Sequence, residues 1–128
     1  IINFGIAGSL NKDLVKGQIY TIRTSYGFNS KPLFKSFTTS CSSTIDCITS
    51  SSRVLNKDYA NKLSNFAPIV DRELWSVGFA AKIQSIPFES YKLISDMAGE
   101  DSDCFDIKNK AFKTPFLSPN FVETLESN

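Results

Sequence analysis

The chain has 128 residues, 41% of them hydrophobic and eleven of them Phe, enough to bury one core, so a single domain over 1–128 is expected. Its 14 basic and 13 acidic residues leave a net charge of +1 and are scattered rather than blocked, which argues against nucleic acid or a membrane surface as partner. There is no histidine, and Cys41, Cys47 and Cys104 lack C-x-x-C spacing, which removes the usual base of a triad hydrolase and the usual zinc sets and predicts free or buried thiols in a reducing compartment.

Ile1-Ile2-Asn3-Phe4 reads as a buried strand entered in mid-fold. With no starting Met and no basic leader, the sequence is expected to be a piece of a longer protein. Gly5-Ile6-Ala7-Gly8-Ser9 is expected to form a tight turn in which glycines let backbone approach a ligand. After a turn at Lys16-Gly17, residues 18–24 alternate like one strand, and 34–39 give another. A Ser/Thr-rich stretch over 38–52 is interrupted by a short central strand at 45–49, with Ser50-Ser51-Ser52 as its exit loop. A helix over 56–64 follows, capped by Asn56. Pro68-Ile69-Val70 reads as a strand and 71–84 as a helix, with Leu74, Val77, Phe79, Ala80 and Ile83 near one face. Residues 88–94 predict a strand ending in Ser95-Asp96, with Met97-Ala98-Gly99-Glu100 as its exit. Two helical pieces, 104–112 and 118–126, are separated by Pro115 and Pro119.

Strands alternating with helices predict an α/β three-layer sandwich, a central mixed sheet flanked by helices, with ligands at the carboxyl ends of the strands. The loops after Phe4, Ile48, Val70 and Ile94 are then expected to share one crevice. Asp96 leaves an apolar strand at that rim, and a partly desolvated carboxyl holds its proton more readily, which suits it to proton donation near neutral pH. Glu73 stands where a strand gives way to a helix, whose N-terminus favours a carboxylate that stays ionised and accepts hydrogen bonds from hydroxyls. One proton donor and one fixed acceptor facing a common cleft suit glycosidic chemistry; the alternative for each acid is capping or solvation. Lys92 is expected to reach the crevice, support Asp96 or seek solvent, and Trp75 to be core or an interface anchor.

In colinear order these segments resemble the nucleoside phosphorylase/nucleosidase superfamily, and within it the methylthioadenosine/S-adenosylhomocysteine nucleosidases. Asn3-Phe4-Gly5-Ile6-Ala7-Gly8-Ser9-Leu10 is similar to the family's N-T-G-S-A-G-G-L, and Lys16-Gly17-Gln18-Ile19 to V-G-D-I-V. Residues 50–56 follow S-G-D-x-F-I-N loosely. Val70-Asp71-Arg72-Glu73-Leu74 stands where the family has V-E-M-E-A. Pro87-Phe88 through Ile94-Ser95-Asp96-Met97-Ala98 resembles P-F-x-x-x-R-x-I-S-D-x-A, the most specific of the matches. The resemblance implies that Asp96 protonates or hydrogen-bonds purine N7, that Ser95 orients it, and that Glu73 binds ribose hydroxyls. It places Val54 and Leu55 against the base, Arg72 beside the ribose, and Ala7 and Gly8 along the nucleophile's position.

The departures from the family pattern also carry information. Ile6 replaces a Ser or Thr whose hydroxyl helps hold phosphate or the nucleophile, which weakens a phosphorolysis reading. Arg72 replaces a Met, Val54 an aromatic base-stacker, and Lys92 an Arg, which makes the pocket more polar and less aromatic. The resemblance thus implies the C-terminal portion of a cytoplasmic, homodimeric nucleosidase that releases a purine base by hydrolysis, with no metal or organic cofactor. Its water-activating Glu would lie in an N-terminal segment outside this sequence. The alternatives are a phosphate-dependent phosphorylase and, given Ile6, Val54 and Arg72, a nucleoside-binding paralogue without catalysis.

Overall fold

The computed structural model describes residues 1–100; the helices expected over 104–112 and 118–126, and Cys104, lie outside the described residues. In chain order the elements are β1 (Ile2–Ser9), β2 (Ile19–Thr21), β3 (Thr24–Phe28), β4 (Phe37–Thr38), β5 (Cys47–Ser50), α1 (Lys57–Ser64), β6 (Ile69–Asp71), α2 (Leu74–Ile83) and β7 (Glu89–Met97). The strands form one mixed sheet in the order β2-β7-β1-β6-β5-β3-β4. β1 is parallel to β7 but antiparallel to β6, so β1 and β7 run one way and β6, β5 and β3 the other.

Successive side chains on a strand point to opposite faces. Cys47 and Ile69 join one core cluster with Ala7, Ile94, and Leu74 and Ala81 of α2, whereas their neighbours Ile48 and Val70 join a second with Phe28 and Leu63 of α1. The two helices therefore cover opposite faces, which gives the expected three layers. α1 starts where its cap predicts, with Asn56 extended and its side chain accepting from Tyr59 N at 2.8 Å. α2 starts later than expected. Asp71 stays in β6, and its carboxylate accepts from Leu74 N at 2.8 Å, so the helix begins at Leu74. Among the described residues no helix is long and apolar enough to cross a membrane.

Two segments depart from the sequence reading. Residues 5–9 are strand, not turn, because β1 lies mid-sheet and its small residues admit close neighbours. A Cβ on Gly8 would sit 3.1 Å from Ala98 Cβ and 3.4 Å from Val70 Cγ1. Residues 18–24 form parts of two strands rather than one. β2 and β3 belong to opposite ends of the sheet, yet only Ile22 and Arg23 separate them, a reach of about 10 Å. Ile22 N donates to Ser90 O in β7 at 3.0 Å and Arg23 N to Ile45 O at 2.7 Å, so the chain crosses from one edge to the other and the sheet is rolled. Fully buried Ile22 and a bidentate Arg23–Asp46 pair, at 2.9 and 2.7 Å, hold that corner. β4 keeps only Phe37 and Thr38 of the expected 34–39, and Phe34 is exposed.

Candidate active site

The junction of β6 and α2 carries a buried ionic network. Lys92, in the middle of β7, has no exposed side-chain surface and places Nζ 2.8 Å from Asp71 Oδ2 and 2.7 Å from Glu73 Oε1. Asp71 Oδ1 accepts from Thr49 Oγ1 at 2.5 Å, and Thr49 Oγ1 in turn accepts from Trp75 N at 2.9 Å. Burial favours neutral Lys92, yet the Asp71 and Glu73 carboxylates outweigh it and hold the lysine pKa above its ordinary value. Burial also draws the Glu73 pKa upward, Asp71 pushes the same way, and Lys92 opposes both.

Two expectations are revised here. Lys92 does not seek solvent: its ammonium is buried and held by the two carboxylates. Glu73 sits at the N-cap of α2 but makes no cap hydrogen bond with its side chain, so Lys92 rather than the helix terminus balances its charge. Asp71, which the sequence reading did not single out, does the capping. Its signal was present as an Asp three residues before Leu74, the spacing of a helix-start acceptor.

The second group gathers around the end of β7. The register runs Ala7 opposite Ile94 and then Gly8 opposite Asp96, which leaves Ser95 as the extra residue of a bulge. Ser95 Oγ donates to Asp96 Oδ1 at 3.1 Å and lies 3.4 Å from Ala7 O. Asp96 is half-buried and still within β7, which continues to Met97 rather than ending at Ile94. Beyond it, Ala98 N donates to Ser9 O at 2.9 Å, and a Cβ on Gly99 would lie only 2.7 Å from Asn56 O. Val54 and Ala98 pack against the same core cluster. The segment after Asp96 and the loop over 50–56 therefore meet. Leu55 is exposed on that loop, and exposed Arg72 reaches it through Nη2 donating to Ser51 O at 3.2 Å. The Ala7 side chain lies in the core.

Because β1 and β7 oppose β5 and β6, the four loops do not leave one edge, and Phe4 has no loop after it. Across the sheet Asp96 stands beside Gly8 and Gly8 beside Val70, two strand spacings or about 10 Å. Glu73 follows β6 three residues on. A separate open cleft of ≈ 780 Å³, lined by Phe34, Phe37, Phe79, Ile83 and Phe88 among others, contains none of the candidate residues. Cys47 is buried, which pushes its thiol pKa well up and makes it inert, and Cys41 is also a free thiol.

The fold is shared with solved structures of methylthioadenosine/S-adenosylhomocysteine nucleosidases, in line with the motif resemblance. No family model and no curated protein matches the sequence. Among solved structures, a variant of MTAN from Chlamydia trachomatis bound to MTA superposes with a TM-score of 0.74 at 17% identity, covering 98% of this chain and 60% of that one. A second structure of the Chlamydia trachomatis protein gives 0.68 at 20% identity, over 96% and 59% of the two chains. The Helicobacter pylori 5'-methylthioadenosine/S-adenosylhomocysteine nucleosidase with butyl-thio-DADMe-Immucillin-A gives 0.65 at 21%, over 77% and 56%. At these identities the likeness establishes the fold. The chain spans about 60% of the length of the structures it matches.

Proposed function

We propose that this chain carries the base- and ribose-binding part of a nucleosidase that hydrolyses the N-glycosidic bond of a purine nucleoside of the methylthioadenosine/S-adenosylhomocysteine type. The observation that carries the reading is the presence, on this fold, of half-buried Asp96 in the strand whose exit packs with the Val54 loop, together with a Glu73 carboxylate held by buried Lys92. In this reading the base lies against Asp96, Val54 and Leu55, and the ribose toward Glu73 and Arg72. Asp96 gives a proton to N7 as the C1′–N9 bond breaks, its electron pair leaving with the base while the ribosyl centre gains cationic character. Water then adds at C1′ and loses a proton to a group outside this sequence. Ser95 Oγ holds the Asp96 carboxyl in one rotamer. Glu73 has lone pairs beyond the one Lys92 takes, with which to accept from ribose hydroxyls.

Ile6 favours water over phosphate as the nucleophile, since an aliphatic side chain donates nothing to an anion. The whole enzyme in this reading is a cytoplasmic homodimer that needs no metal or organic cofactor. The test is base release from several purine nucleosides by the longest native protein, with and without phosphate. Release of adenine indifferent to phosphate is the expected result. Release that depends on phosphate or arsenate would make the protein a phosphorylase, and saturable binding without release would make it a non-catalytic binder.

A further inference from the structure

We propose that Thr49 and Asp71 are positioning residues that set where the Glu73 carboxylate meets the ribose, an inference that rests on the nucleosidase reading above. Thr49 of β5 and Asp71 of β6 are register partners, both buried, and Thr49 Oγ1 donates to Asp71 Oδ1 at 2.5 Å. Between them they take the first two N–H groups of α2, Leu74 N on Asp71 Oδ2 at 2.8 Å and Trp75 N on Thr49 Oγ1 at 2.9 Å. Glu73 is thereby relieved of capping its own helix and turns its carboxylate to Lys92, which Asp71 anchors from the other side at 2.8 Å.

The exposure pattern shows the direction of the device. The side chains of Lys92 and Asp71 are 0% exposed, whereas that of Glu73 is 27% exposed. Two carboxylates against one ammonium leave one negative charge in excess, and Glu73 is its outlet toward solvent. A carboxylate fixed there accepts from ribose hydroxyls without rearranging first. Thr49 and Asp71 touch neither substrate nor reacting atoms; they act through the Glu73 position.

The test uses the longest native protein carrying Thr49→Val, Thr49→Ser or Asp71→Asn. kcat and KM are measured for a purine ribonucleoside and its 2′-deoxy counterpart, with urea unfolding alongside. Thr49→Val and Asp71→Asn should reduce the preference for the ribonucleoside on the order of tenfold, the size of one charge-assisted hydrogen bond, chiefly through KM. Thr49→Ser, which keeps the hydroxyl, should restore it. If Asp71→Asn does not fold, Thr49→Val alone decides. Variants that lose stability and kcat equally on both substrates while keeping the preference overturn this proposal and leave the nucleosidase reading standing. A wild-type protein that neither releases base from nor binds either nucleoside overturns that reading, and this proposal with it.

Discussion

Around Glu73 three charged side chains and a threonine hydroxyl close on one another at 2.5–2.8 Å beneath α2, whereas around Asp96 the chain relies on backbone approach, Gly8 admitting Ala98 and Gly99 admitting Asn56. The first arrangement is cooperative. Each charge is tolerable in the interior only because the others are present, so removing one member strands the rest. The second is graded, because a displaced loop loses contacts a few at a time. On the nucleosidase reading proposed above, a site joined from two such halves would hold its sugar side rigidly and let its base side vary.

The largest expected effect breaks the charged half. Lys92→Met leaves two carboxylates without their cation and should lower unfolding free energy by about 3–5 kcal/mol, read by urea titration. A loss under about 1 kcal/mol would mean that the network is not ionised as described. The pH dependence follows from the direction of the shift. Lys92 has a folded pKa above its ordinary 10.5, so its contribution is fully present below pH 10.5 and is lost as pH rises through the folded value. Wild type should show that alkaline loss and Lys92→Met should not. Glu73 is shifted up from 4.5, so its protonated form is favoured by the fold, and stability from it is lost as pH rises through its folded value. Without Lys92 to oppose that shift, the variant should recover stability on acidification more than wild type does.

Next in size is Asp96→Asn. It should cut base release by roughly 10²–10⁴ while nucleoside binding persists, because an amide keeps a hydrogen bond but has no acidic proton to give. Turnover at the wild-type rate would remove Asp96 from the chemistry. The smallest effect tests the backbone-built half. Gly99 has φ +86° and no room for a Cβ against Asn56 O, so Gly99→Ala should destabilise by about 1–3 kcal/mol and raise KM more than it lowers kcat. Gly17→Ala, at φ +87° with nothing within 4 Å, carries the backbone strain alone and should leave KM unchanged. Equal KM effects from both glycines would uncouple the 54–56 loop from substrate.

What could be read in advance was local. Glu73 stood out as an acid at a strand-to-helix junction, where the structure places it; Ser95 and Asp96 stood out as a polar pair following an apolar strand, and instead lie inside β7. Asp71 was missed because its work depends on Thr49, 22 residues earlier, and on Lys92, which is later still. The partners of Lys92 could not be read for the same reason, since a lysine in a strand gives no hint of the carboxylates across the sheet. Gly5 and Gly8 suggested a turn because glycine serves turns and close-packed strands alike, and only β6 and β7 on either side decide between them. Residues 18–24 alternate without a break, so nothing local marks where the backbone changes partner from Ser90 to Ile45.

The position of β1 has a consequence for how the protein is made. Ile2 pairs with Glu89, and the strand's other neighbour is β6, so both partners leave the ribosome long after it does. Until then the future centre of the sheet has two open edges, a template on which foreign strands can settle. Pairings this distant in sequence also form slowly, which makes β1 the segment a chaperone would have most reason to shield.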